Sequence, residues 1–180
     1  MEFRPRRKRP SCDDYPRRGL FNRPYHIAYI GLGANIRPDY NLPKAVGYLC
    51  RYTILEAVSS VWETPPDGLS GPDFLNAAVE IQTPVPAGVL KTLVLRPIEI
   101  QMGRIRTINK YASRPIDLDI LIFNGEMYDR NIWRHSFLAV PLAELNPDYR
   151  NPTSQETLAE AATRLLRTTP IRPRPDIVLG

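Results

Sequence analysis

The chain reads as an α+β domain, a ferredoxin-like β-α-β-β-α-β sandwich with an antiparallel sheet and helices packed on it. Three observations predict this. Strand-like runs recur at 26–31, 53–62, 74–83 and 116–123, two helical periodicities separate them, and 180 residues suit one core with some decoration.

The first strand, 26–31, is rich in β-branched and aromatic residues and runs into Gly31-Leu32-Gly33-Ala34-Asn35, which reads as a turn. A helix is predicted over 39–52, where Leu42, Ala45, Val46 and Leu49 recur at helical spacing and Pro43 falls in the first turn. Strand character returns over 53–62. The stretch from Thr64 to Pro72, with three prolines and two glycines, reads as a long exposed loop. Residues 74–83 alternate, with Leu75, Ala77, Val79 and Ile81 on one face and Asn76, Ala78 and Glu80 on the other, as a half-buried strand does. Residues 87–101 are helical in period, but Pro97 should kink them or remove a hydrogen bond. Near the end, Thr153 and Glu156 have capping-box spacing ahead of an apolar stripe at Leu158, Ala161, Ala162, Leu165 and Leu166.

Domain limits follow composition: a basic leader at 1–25, expected to be disordered, a folded domain at 26–168 and a Pro-rich tail at 169–180. The leader carries eight Arg or Lys against three acids, which accounts for the whole net charge of +5, so the folded body is neutral. A neutral body argues against an extensive nucleic-acid footprint, which requires many neutralised phosphates. Any partner of the basic leader is left open. No window nears the roughly 18 apolar residues of a membrane span, and no secretory signal is legible. The expectation is a cytoplasmic protein with no membrane partner. Two cysteines and two histidines, His26 and His135, are too few for a disulfide framework, a zinc site or a histidine-rich centre.

The chemistry concentrates in Gly103-Arg104-Ile105-Arg106 and, after a polar interval, Arg114-Pro115-Ile116-Asp117-Leu118-Asp119-Ile120. Asp117 and Asp119 lie two apart in a strand, so both carboxylates leave one face and can grip hard cations. Arg104, Arg106 and Arg114 offer bidentate donors for phosphate oxygens. Cations and arginines together are the equipment of phosphoryl transfer. Asn76 could read the amide edge of a heterocycle, with Phe74 stacked on the ring. Glu99, near a helix end, reads from the residues alone as an exposed glutamate.

Those two motifs, with Tyr29-Ile30-Gly31-Leu32-Gly33-Ala34-Asn35, Trp62-Glu63-Thr64-Pro65-Pro66, Phe74-Leu75-Asn76-Ala77-Ala78-Val79 and Phe137-Leu138-Ala139-Val140-Pro141-Leu142, resemble the 6-hydroxymethyl-7,8-dihydropterin pyrophosphokinase family over roughly residues 26–150. The resemblance implies a diphosphotransferase that moves pyrophosphate from ATP to the pterin hydroxymethyl group and releases AMP in folate biosynthesis. It implies that Asp117 and Asp119 hold two Mg²⁺ ions, with Asp117 also close to the pterin hydroxymethyl group. Arg104 and Arg114 then share the catalytic role with these carboxylates. It places ATP against Glu99, Arg104, Arg106, Arg114, Ile120, Arg134 and His135, and the pterin against Thr64, Pro65, Phe74, Asn76, Asp117 and Phe137. His135 stands where the family has an arginine, in a segment, 124–136, that is shorter than usual and lacks Pro-His. Two alternatives accompany this reading. One is a noncatalytic pterin- or nucleotide-binding descendant whose basic leader docks a partner, and the other a related kinase acting on a different pterin.

Overall fold

The computed structural model describes residues 25–66, 71–105 and 112–179. Residues 1–24 of the basic leader and Arg106 lie outside the described residues. Among the described residues, seven strands form one antiparallel sheet: β1 (His26–Ala34), β2 (Ile54–Val58), β3 (Trp62–Thr64), β4 (Phe74–Thr83), β5 (Asp117–Phe123), β6 (Glu126–Met127) and β7 (Arg172–Pro173). Their order is β6-β5-β1-β4-β3-β7, with β2 also on β4, beyond β3's short pairing.

One face of the sheet packs on α1 (Pro38–Tyr52) and on the helical run made of α2 (Ala87–Val89), a π-helical turn (Leu90–Leu95) and α3 (Arg96–Gln101). Alternation explains the burial: Ala28, Ile30 and Leu32 of β1 and Leu75, Ala77, Val79 and Ile81 of β4 meet Leu42, Val46 and Leu49 of α1 and Leu90, Leu95 and Ile98 of the second run. Each fully buried Val, Leu or Ile side chain among them contributes about 1.5–3 kcal/mol by leaving water. The sheet's other face is not bare. It carries α4 (Ser136–Leu145) and α5 (Leu158–Leu166), whose Val140, Leu142, Leu158 and Ala162 pack with Tyr29, Ala78 and Leu121.

Several local expectations change. β1 runs through Gly33 to Ala34 instead of turning at Gly31, because the glycines pair in register with both neighbours: Gly33 lies opposite Asn76 and Asp117. The single strand expected over 53–62 is two, since the chain leaves the ladder at Ser59, whose hydroxyl accepts from the Ala78 N–H at 2.8 Å. The capping box belongs to Thr157 and Glu160, one turn later than Thr153 and Glu156. Pro97 does not break its helix. The π turn just before it, closed by the Arg96 N–H on the Lys91 carbonyl five residues back, widens the pitch where a proline ring would otherwise meet the preceding turn. The described part of the tail, 169–179, packs on the body: β7 pairs with β3, Arg172 and Arg174 bridge to Glu63, and Leu179 joins the core.

Candidate active site

The sheet brings Trp62, Asn76, Gly33 and Asp117 into one transverse row across β3, β4, β1 and β5, and Ala78, Gly31 and Asp119 into the next. Residues directly opposite one another in antiparallel strands project from the same face. The row therefore sets a buried amide and a carboxylate on either side of a glycine. Asn76 is buried and donates through Nδ2 to the Thr64 hydroxyl at 2.9 Å. A Cβ built on Gly33 would come within 3.1 Å of Asn76 Oδ1, tighter than an ordinary contact, so the glycine keeps the room in which this amide stands. Gly33→Ala should displace Asn76, costing about 1–3 kcal/mol of stability by overpacking. Urea unfolding checks this, and an unchanged midpoint would show that the amide yields to the added methyl group without cost.

Asp117 opens β5 at the meeting point of two arginines. Its Oδ1 accepts from Arg104 Nη1, and its Oδ2 from Arg114 Nη1 at 2.6 Å. Arg104 also reaches Glu99 Oε1 at 2.5 Å, so one guanidinium bridges two carboxylates. Glu99 is not the exposed residue expected near a helix end. It is 1% exposed, and the same oxygen accepts the Leu118 N–H at 2.9 Å, tying α3 to β5. The Arg114 guanidinium lies 5.9 Å from the centre of the Phe74 ring and so reaches from Asp117 towards the start of β4. Its backbone is held from β1: Asn35 Oδ1 accepts the Arg114 N–H at 2.7 Å, and the Asn35 N–H donates to the Arg114 carbonyl at 3.1 Å.

Burial pushes the Asp117 carboxyl up, but the Arg104 and Arg114 guanidiniums outweigh it and hold the group below the usual carboxylate range. Asp119 moves the other way. Its protein surroundings and then the Asp117 charge raise it against the lowering effect of Lys91. The side chain nevertheless keeps 51% of its surface, so solvent moderates that rise. Because the folded state holds the Asp117 proton less tightly than the unfolded chain, this group stabilises the protein above the ordinary carboxylate pKa. That contribution disappears as pH falls through its depressed folded value. Asp119 contributes with opposite sign, its cost at neutral pH being relieved on acidification. Asp117→Asn should therefore lower Tm at about pH 7, by a deficit that shrinks progressively as pH falls below the ordinary carboxylate pKa of about 3.9. Melting curves across the range check this, and a deficit that grew in acid would contradict it.

Two adjacent carboxylates, one disfavouring its own ionisation, suit a divalent cation. Among the described residues no group of three or more His, Cys, Asp or Glu is placed to hold a metal ion. That donor set fits Mg²⁺, which takes one or two carboxylates and fills its other positions with water and phosphate oxygens.

A family model described as 7,8-dihydro-6-hydroxymethylpterin-pyrophosphokinase (HPPK) matches residues 29–147. The chain belongs to the HPPK family. Curated relatives named 2-amino-4-hydroxy-6-hydroxymethyldihydropteridine pyrophosphokinase include one from Synechocystis, 30% identical over 86% of this chain and 84% of its own. Another, from Methylorubrum extorquens, is 36% identical over 77% and 92%, and one from Bacillus subtilis 37% identical over 73% and 86%. Among solved structures, wild-type HPPK-DHPS of Plasmodium falciparum superposes with a TM-score of 0.63 at 14% identity, over 82% of this chain. The superposed part is 42% of that longer chain, and the likeness concerns the fold.

Within this HPPK fold, the residues singled out from the sequence fall into three groups. Glu99, Arg104, Arg114 and Asp117 form one ion-pair and hydrogen-bond network, with Phe74 against Arg114. Thr64 and Asn76 form the adjoining polar row, and Ile120, in β5 beyond Asp119, is buried with the core. Half-buried His135 and Phe137 meet at the start of α4, ring centres 5.0 Å apart, whereas Arg134 is exposed. Among the described residues, the ion pairs of Asp117 and Asp119 are made by Arg104, Arg114 and Lys91. Three contributors were given no role from the sequence: Lys91, Asn35 and Glu144. Glu144 is buried on α4 and accepts Trp62 Nε1 at 2.7 Å and the Ser60 N–H at 2.8 Å, which holds the end of the Asn76 row. Only Asn35, polar in an apolar run ahead of a helix, left a readable signal.

Proposed function

We propose that the protein is a Mg²⁺-dependent diphosphotransferase that moves pyrophosphate from ATP to 6-hydroxymethyl-7,8-dihydropterin in folate biosynthesis, in the cytoplasm. The observation that carries this reading is the position of Asp117, which faces the Asn76–Thr64 row on one side and two guanidiniums on the other. In the reaction the hydroxymethyl oxygen attacks the β-phosphorus, the bond from that phosphorus to the α–β bridging oxygen breaks, and AMP leaves with the electron pair. The hydroxyl proton is lost to water.

Asn76 and Thr64 would present a donor and an acceptor to the pterin edge, with Phe74, Phe137 and Pro65 against the ring. Asp117, kept ionised by its arginines, would accept from the hydroxymethyl group and orient it rather than store its proton. Arg104 and Arg114, now neutralised by Asp117 and Glu99, would turn to the phosphates when ATP enters, joined by Arg106. Arg134, His135 and Ile120 are assigned to the nucleotide side. Asp117 and Asp119 would hold the Mg²⁺ ions, two by the family pattern. When bound, these supply charge neutralisation across the phosphate oxygens.

The decisive assay is AMP release from ATP with pterin and Mg²⁺ each omitted in turn. AMP that needs all three supports the reading. Well-folded protein that releases none, or only with a different alcohol, would overturn it.

A further inference from the structure

Lys91 lies in the π-helical turn, on the element that faces β5. Its ammonium donates to the Leu118 carbonyl at 2.6 Å and to Asp119 Oδ1 at 2.6 Å. The first bond anchors the charge to the strand backbone, independently of the carboxylate. The second engages one Asp119 oxygen, on a side chain that remains 51% exposed. Asp117 is already covered by two guanidiniums, so Lys91 supplies a third cation at this acidic pair, and it alone comes from the run before Arg104.

We propose that Lys91 is a positioning residue that acts as a tethered counter-cation for Asp119, competing with the divalent ion and setting the concentration at which that ion binds. This rests on the reading of Asp119 as a metal ligand. The physical argument is short-range Coulomb repulsion. An ammonium in contact with one oxygen of a carboxylate stands within a few ångströms of any ion on the other oxygen. Water reaches this side chain, so the penalty is modest. In exchange, the carboxylate stays compensated when no nucleotide is bound.

The test is direct titration with Mn²⁺, followed by the electron paramagnetic resonance of the free ion, with and without a non-hydrolysable ATP analogue and without turnover. Lys91→Met, which keeps the aliphatic stem and removes the charge, should tighten Mn²⁺ binding about threefold to tenfold. Lys91→Gln, which can still donate to the Leu118 carbonyl, should do the same and serves if the methionine variant folds poorly. Lys91→Arg, which keeps the charge, should stay near the parent. Unchanged or weaker binding in both neutral variants would overturn the proposal. Asp119→Asn separates the two readings. If it binds Mn²⁺ as the parent does, Asp119 is not a ligand and both fail. If it loses binding while the Lys91 variants match the parent, only the role of Lys91 fails.

Discussion

Glu99→Ala is expected to destabilise the protein by about 3–5 kcal/mol, the largest single-residue effect on folding that this site predicts. Three losses coincide. The Leu118 N–H loses its acceptor at a buried position, Arg104 loses one of its two carboxylates, and a cavity opens between α3 and β5 where the side chain was 1% exposed. Glu99→Gln isolates the charge, because an amide oxygen can still accept the Leu118 N–H, and should cost less than half as much. Urea unfolding of the three proteins measures this through the midpoint at constant m-value. A cost under about 1 kcal/mol for the alanine variant would mean that relaxation or water satisfies the strand N–H without the glutamate.

Asp117→Ala is expected to reduce turnover at least about a thousandfold while the fold survives. Removal of Asp117 takes away the partner of Arg104 and Arg114 and, in the proposed site, would also remove an ion ligand and the acceptor for the hydroxymethyl group. Structurally it lies at the start of β5, 19% exposed, and packs no apolar core, so its loss should leave a cooperative melt. AMP release and a thermal melt on one preparation check both halves of the expectation. A loss below tenfold would remove Asp117 from the centre of the reaction.

The sheet was legible because β4 places Leu75, Ala77, Val79 and Ile81 on one face, and because β5 is an apolar run interrupted on one face only, by Asp117 and Asp119. Burial in α1 likewise follows its helical period. What stayed hidden has identifiable causes. α4 is apolar almost all round and contains Pro141, so it shows neither a stripe nor a helix-like composition, yet Ala139 to Leu145 are all buried between β-sheet and α5. Glu99 looks like any glutamate near a helix end until its partners, five and nineteen residues away, are brought to it. Lys91 meets Asp119 across 28 positions of sequence, and no local pattern encodes that meeting. The arginines and aspartates were visible as a cluster because they are close in the chain. The buried acids and amides that orient them were not.

The π turn at Leu90–Leu95 sets the phase of everything that follows it. A π turn accommodates one residue more than the α-helix would, and each residue of an α-helix turns the chain through about 100°. On an unbroken α-helix the eight positions from Lys91 to Glu99 would turn the chain through about 800°, about 80° beyond two full turns. The wider π turn winds less per residue and takes up part of that offset. Lys91 can thus reach the Leu118 carbonyl and Asp119 while Glu99, in the α-helix that follows, accepts the Leu118 N–H from the same side of β5.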